Sequence, residues 1–160
     1  MVVVRGAAVI EERGRVRVGE RVVTARRGVH GVLPTPPAAV PEALPRVTFT
    51  DPEVGSVGLT EAAARAAGIT VATATVATAE SSRGFIHGLG NAGLIKLVVD
   101  ADADLLVGAT AAGPRGGEVL GLLTLAVHAR VPVRTLRSMI YAYPTFHRGV
   151  LDALTRLGVS

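Results

Sequence analysis

The stretch Leu94-Ile-Lys-Leu-Val-Val-Asp-Ala-Asp-Ala-Asp-Leu-Leu-Val-Gly-Ala-Thr-Ala-Ala112 consists of two apolar runs on either side of a short acidic turn. Apolar runs that meet at a turn are typical of two adjacent strands in a buried β-hairpin. The acidic turn resembles the start of a calcium-binding loop, but leucines stand where such a loop needs its glycine. We therefore interpret it as a solvated turn, and the stretch predicts a buried antiparallel hairpin.

Shorter patterns on both sides of this hairpin predict further strands and helices. Residue alternation favours strands, and three- and four-residue spacing of apolar side chains favours helices. Thr60 precedes one helix and is of the type that caps a first turn. Glu80–Gly84 is expected to be a loop and Phe85-Ile86 a short strand. Strands are expected at 46–50, 55–59 and 69–78, and helices at 61–67, from 118 until Pro132, at 133–139 and at 147–157.

The chain divides into three regions by composition. Residues 1–32 read as short β ribbons with too few large apolar side chains to form a core of their own. Residues 33–45 contain five of the nine prolines, which predicts an extended linker. Residues 46–160 hold the hairpin and the helices, so they form the main domain.

Residue types restrict the chemistry that this chain can perform. The sequence has no cysteine, which excludes disulfides, thiolate catalysis and cysteine-ligated metals within the chain. The four histidines, at 30, 87, 128 and 147, do not have metal-ligand spacing. The Gly88–Gly93 segment matches GxGxxG but precedes a strand, so it is read as a loop. We find no self-contained catalytic constellation and predict no metal site.

Charge and hydropathy bear on the localisation of the protein and on its binding partners. No apolar run approaches the length of a membrane span and no signal peptide is evident, so a cytoplasmic protein without membrane contact is expected. The formal net charge is +4, and arginines crowd the first 30 residues. Nucleic-acid-binding arms usually interleave such charges with aromatic residues, which this stretch lacks, so nucleic-acid binding is not expected. A solvated face or an exposed former interface is favoured instead.

Aromatic residues concentrate in Ile140-Tyr-Ala-Tyr-Pro-Thr-Phe-His-Arg148, which contains both tyrosines of the chain. Pro144 forbids a regular helix here and favours an extended Tyr143. A rigid turn between two helices can present a side chain to a ligand or a partner, and it can equally be a plain connector. Spacing alone favours the connector.

Five motifs occur in order along the chain, and together they resemble a known family. They are Phe49-Thr-Asp-Pro-Glu-Val-Gly-Ser-Val-Gly-Leu-Thr-Glu61, Gly93-Leu-Ile-Lys-Leu-Val-Val-Asp100, Leu106-Val-Gly-Ala-Thr110, Gly117-Glu118 and Ala142-Tyr-Pro-Thr145. They resemble the C-terminal dimerisation domain of the pyridine nucleotide-disulfide oxidoreductases, such as dihydrolipoamide dehydrogenase and mercuric reductase. The resemblance implies an α+β fold: an α/β sandwich with an antiparallel sheet of about four to five strands covered by about three to four helices, preceded by a short β-hairpin segment. It also implies a homodimer.

In that family a His-Pro turn crosses the dimer interface to the flavin and redox disulfide of the other subunit. Tyr143 stands at the position of the histidine, as it does in mercuric reductases, and Arg148 stands at the position of the glutamate that orients it. The resemblance makes Tyr143 and Arg148 the candidate catalytic positions. It places Tyr143, Pro144 and Thr145 on the flavin side of the partner subunit where a flavin domain is present. A tyrosine with an ordinary pKa near ~10 is a poor base, so dithiol acid–base chemistry is not carried over.

The N-terminal region resembles part of the same family's FAD-binding domain. Val9 to Val29 is similar to the hairpin region just before the family's Ala-Thr-Gly flavin motif, and His30-Gly-Val-Leu-Pro34 stands in place of that motif. The family uses FAD and NAD(P), but their binding segments and the redox cysteines are missing here, so neither cofactor is expected on this chain alone. We expect a member of an oxidoreductase family that does not catalyse alone, acting as a homodimer or beside a flavin-carrying subunit. The alternatives are a degenerate gene fragment without function, or a basic binding module that uses the arginine-rich N-terminus.

Overall fold

The computed structural model describes residues 8–12, 15–24 and 40–158. The chain divides into two compact units, Met1–Ala39 and Val40–Ser160. In the first unit, β1 (Ala8–Glu12), β2 (Arg15–Val18) and β3 (Arg21–Thr24) form an antiparallel sheet in that order. This agrees with the short β ribbons predicted over residues 1–32, of which residues 1–7, 13–14 and 25–32 lie outside the described residues.

The second unit contains one five-stranded antiparallel sheet in the order β4-β5-β8-β7-β6. Its strands are β4 (Arg46–Thr48), β5 (Glu53–Gly58), β6 (Val71–Ala77), β7 (Leu94–Asp100) and β8 (Leu105–Gly113). Its helices are α1 (Glu61–Ala66), α2 (Ser82–His87), α3 (Gly116–His128), α4 (Val133–Ser138) and α5 (Arg148–Thr155). The predicted α+β fold with an antiparallel sheet is therefore confirmed, and the central pair β7 and β8 is the predicted hairpin.

One face of this sheet is covered by α3 and α5, and we call it the closed face. Because side chains alternate along a strand, the paired residues Ala74, Leu97, Ala109 and Val57 point to the same side. All four are buried, and they belong to the main core together with side chains of α3, α4 and α5. A side chain in place of Gly149 would meet Ile95 Cδ1 at 2.9 Å, so α5 packs directly against β7.

The opposite face, which we call the open face, is only partly covered. The paired residues Val54, Ala112 and Leu94 form an apolar row across three strands, and both Val54 and Leu94 are exposed. The next row contains Lys96, whose Nζ lies 2.7 Å from Glu61 Oε2 of α1. This ion pair joins α1 to the open face at Lys96. Leu94, two residues earlier on the same strand, remains exposed.

The first turns of α1 and α3 are each capped by a side-chain oxygen, from an adjacent residue in α1 and from a distant strand in α3. Thr60 Oγ1 accepts a hydrogen bond from Ala63 N at 3.1 Å, which confirms the predicted cap of α1. Helix α3 has no side-chain cap of its own, and Glu53 Oε2 of β5 accepts from Gly117 N at 2.9 Å instead. The first turn of α3 is thus stabilised by a carboxylate on the neighbouring strand.

One local prediction was wrong. The segment expected to be a loop and a short strand, Glu80–Gly84 with Phe85-Ile86, forms a 3₁₀ turn and helix α2. Ser81 Oγ accepts from Gly84 N at 3.0 Å and caps the first turn of this helix. Of the linker predicted over 33–45, residues 33–39 lie outside the described residues, and Pro41–Ala43 forms a 3₁₀ turn with Ala43 buried.

Within the part of the chain that the structure describes, no helix is long and apolar enough to cross a membrane.

Candidate functional site

The aromatic turn between α4 and α5 directs its two tyrosines in opposite directions. Tyr141 is buried, 7% exposed, and its hydroxyl donates to Leu136 O of α4 at 3.1 Å. Burial raises the pKa of Tyr141, so its hydroxyl stays protonated and anchors the turn. Tyr143 is 70% exposed, and its hydroxyl donates to Ser82 Oγ of α2 at 2.8 Å. One tyrosine therefore fixes the turn to the core, and the other is displayed.

Local hydrogen bonds define the backbone of the turn. The Tyr143–Pro144 peptide bond is cis. Thr145 Oγ1 donates to Ala142 O at 2.7 Å and accepts from Arg148 N at 3.3 Å, which joins the turn to the start of α5. Phe146 is buried in the main core and anchors the turn there. These contacts place Tyr143 and Pro144 at the outer end of the loop.

The predicted pair Tyr143 and Arg148 lines one cavity of about 110 Å³, but the two side chains have different partners. Tyr143 donates to Ser82, whereas Arg148 Nε lies 3.7 Å from Asp152 Oδ1, one turn along α5. The structure thus brings the two predicted residues to one place without joining them. A tyrosine hydroxyl and a permanently charged guanidinium can donate hydrogen bonds to a ligand, and neither is suited to shuttle protons near neutral pH.

Helix α2 contributes residues that the sequence interpretation missed. Ser82 and Arg83 line the same cavity, and the Arg83 guanidinium carbon lies 5.8 Å from the centre of the Phe146 ring. His87 packs edge-on against that ring at 5.7 Å. Ser81, three residues before Gly84, was the available sign of a helix start. No sequence signal links Ser82 to Tyr143, because the two residues are 61 positions apart.

Exposed apolar side chains gather around the same helix. Phe85 is 85% exposed and Leu89 is fully exposed, and both lie on the connection that leads into Leu94 on the open face. Ile86 and Ile140 are also exposed. Large exposed apolar patches usually mark an interaction surface rather than a solvated one.

Comparison with known proteins assigns this arrangement to a family. The family model for the pyridine nucleotide-disulphide oxidoreductase dimerisation domain matches residues 44–154. A dihydrolipoyl dehydrogenase of Thermus scotoductus is 33% identical over 92% of this chain and 37% of its own length. One of Vibrio cholerae is 34% identical over 69% of this chain and 23% of its own length. The chain therefore spans well under half the length of these curated relatives.

Solved structures with the same fold include disulfide reductases. LpdA of Mycobacterium tuberculosis superposes with a TM-score of 0.67 at 20% identity, over 72% of this chain and 25% of that chain. The HOCl-induced flavoprotein disulfide reductase RclA of Escherichia coli has a TM-score of 0.67 at 24% identity, over 71% of this chain and 26% of that chain. At these identities the likeness establishes the fold of the second unit.

Proposed function

This chain belongs to the pyridine nucleotide-disulphide oxidoreductase family, whose dimerisation domain it contains, and we propose that it forms a homodimer through the open face and helix α2. The observation that carries the proposal is the exposure of apolar side chains, Val54 and Leu94 on the open face and Phe85 and Leu89 on α2 and the connection that follows it. A second copy would remove this surface from water, and apolar burial is the main driving force of such association.

The proposed interface has a polar margin as well as an apolar centre. Lys96, Thr75 and Thr110 lie in the row beside Leu94, where partner groups can be paired by hydrogen bonds. Lys96 is already paired with Glu61 within one chain, so its charge is compensated before association. An apolar centre with a polar rim is the usual anatomy of a specific interface.

Sedimentation equilibrium of the full chain tests the homodimer. We expect the wild-type chain to be a dimer and Leu94→Glu or Phe85→Glu to raise its dissociation constant by at least about tenfold, because each variant introduces an unpaired charge into the apolar centre. Leu125→Glu is the matched control, since Leu125 is 60% exposed, between Leu94 and Phe85, but lies on α3, away from the open face. A monomeric wild-type chain, or equal weakening by all three variants, would contradict this interface.

We further propose that Tyr143, Pro144 and Thr145 face the flavin of the partner subunit where a flavin domain is present, and that FAD and NAD(P) serve the parent enzyme. The exposure of Tyr143 at the outer end of its turn supports this. The cavity beside the turn, about 110 Å³, is smaller than the ~300 Å³ or more of a typical cofactor site, so these residues do not fit the role of enclosing a flavin.

The absorbance spectrum of the purified chain tests whether FAD binds to this chain alone or needs a flavin-carrying subunit. A flavin gives a band near ~450 nm, and we expect no such band at stoichiometric strength after incubation with FAD and removal of the excess. A stoichiometric flavin band would show that the chain forms a flavin site by itself and would overturn this part of the proposal.

A further inference from the structure

The cavity beside the aromatic turn carries a net positive charge. Its charged lining consists of two guanidinium groups, Arg83 and Arg148, and one carboxylate, Asp152. The hydroxyl-bearing lining residues are Ser81, Ser82, Tyr143 and Thr145. A small concave site with two guanidinium groups has the composition of an anion site, because a guanidinium offers five hydrogen-bond donors and no acceptor.

The donors of the two arginines are only partly used. Arg148 Nε is 3.7 Å from Asp152 Oδ1, which is longer than a hydrogen bond, so this carboxylate screens the charge without engaging the whole guanidinium. Within residues 40–158, Arg83 makes no ion pair, and its contact is with the ring of Phe146. A guanidinium has five N–H donors, so both side chains retain donors for a ligand.

One hydroxyl is oriented to donate as well. The Tyr143 hydroxyl donates its proton to Ser82 Oγ at 2.8 Å, so the Ser82 oxygen already acts as an acceptor. The proton of Ser82 is then left to donate to a third group. Thr145 Oγ1, by contrast, already donates to Ala142 O and adds no donor to the cavity.

We propose that this cavity binds the oxyanion group, carboxylate or phosphate, of a small molecule through Arg83, Arg148 and the Ser82 hydroxyl. The inference rests on the proposed function in one respect: in the assembled enzyme that small molecule would be the substrate presented at the Tyr143 turn. At about 110 Å³ the cavity accommodates a single head group, which leaves the rest of the molecule outside.

Guanidinium groups suit this role because their planar N–H pairs match the two oxygens of a carboxylate or phosphate. They also stay charged at every physiological pH, unlike a histidine at the same position. The Arg148 guanidinium and the hydroxyls at the turn therefore suit anion recognition rather than proton transfer.

The test is an amide chemical-shift titration of the full chain with inorganic phosphate and, separately, with acetate, at an ionic strength held constant by chloride. We expect saturable shifts in the amides of 81–84 and 145–148. Arg83→Gln and Arg148→Gln should each raise the apparent Kd about tenfold or more, since each removes a charge-assisted hydrogen bond. Asp152→Asn should lower the Kd, because it removes the competing carboxylate.

Arg65→Gln provides the matched control, because it removes the same charge from α1, where Arg65 pairs with Glu61. Saturation by phosphate alone or by both anions supports the site and identifies the head group that it accepts. Shifts that follow ionic strength only, or that are unchanged in both Arg83→Gln and Arg148→Gln, overturn it. The dispersion of the same spectra reports whether each variant is folded.

The outcome can be separated from that of the homodimer proposal by sedimentation of the same samples. A dimer without saturable shifts overturns the anion site and leaves the dimer interface intact. A monomer with saturable, arginine-dependent shifts supports the anion site and overturns the proposed dimer.

Discussion

The closed and open faces of the five-stranded sheet are built from alternate residues of the same strands, yet they have different roles. Leu97 on the closed face is fully buried beneath the helices, whereas Leu94, three residues earlier on the same strand, is 37% exposed on the open face. Burial on the closed face stabilises the domain, whereas the open face is the surface through which we propose that two copies associate. The difference shows that the role of an apolar side chain is decided by which face of the strand it occupies.

The largest expected effect comes from truncating the closed face. Leu97→Ala should lower the free energy of unfolding by about 2–5 kcal/mol, because it leaves a cavity in a packed core. Leu94→Ala should cost less than about 1 kcal/mol in the monomer, because its side chain already contacts solvent. Urea unfolding at a protein concentration where the chain is monomeric measures the free energy of unfolding of both variants. Equal losses of stability would contradict the difference in burial between the two faces.

The cap that joins the closed face to α3 should have the next largest effect. Glu53→Ala removes the acceptor for Gly117 N and should cost about 1–2 kcal/mol. Glu53→Gln retains an oxygen at the same place, so it should recover most of this loss. Denaturant unfolding of the two variants separates the contribution of the hydrogen bond to stability from that of the negative charge. If both variants lose the same free energy of unfolding, the effect belongs to the charge alone.

The two tyrosines of the turn extend the comparison to single hydroxyls. Tyr141→Phe should cost about 0.5–1.5 kcal/mol, because it leaves Leu136 O without its donor in a buried position. Tyr143→Phe should leave the thermal unfolding temperature of the chain nearly unchanged, because water can replace its exposed hydrogen bond. A larger loss for Tyr143→Phe would mean that this residue is structural rather than displayed.

A small, pH-dependent effect is expected at the open face, where Glu61 attaches α1. The hydrogen bond from Lys96, and then that from Arg65, lowers the pKa of Glu61 from its ordinary value of 4.5. A depressed pKa stabilises the folded state above the unfolded-state pKa, and the contribution is lost as the pH falls through the folded-state pKa. Glu61→Gln should therefore unfold at a slightly lower temperature at pH 7 and at the wild-type temperature in acid. A difference that persists in acid would exclude the ion pair as its cause.

Much of the fold could be predicted because its signals are local. The apolar runs around Asp100 and Asp104 predict β7 and β8, and Thr60 predicts the start of α1. Helix α2 could not be predicted from Phe85 and Ile86, because apolar residues in sequence usually mark a buried strand and here they are exposed. Gly84 lets α2 pack closely on the preceding 3₁₀ turn, because a side chain there would collide with Thr78 O.

The sequence by itself determined the family motifs, the alternation of the strands and the presence of Tyr143 and Arg148 in the segment 140–148. These are properties of residue type and spacing, which need no folded chain. Only the tertiary structure decided that Ser82 and Arg83 stand beside Tyr143, that Glu53 caps α3, and that the Leu94 end of the sheet stays open. Each depends on groups far apart in the chain, whose approach is set by strand pairing and helix packing rather than by local propensity.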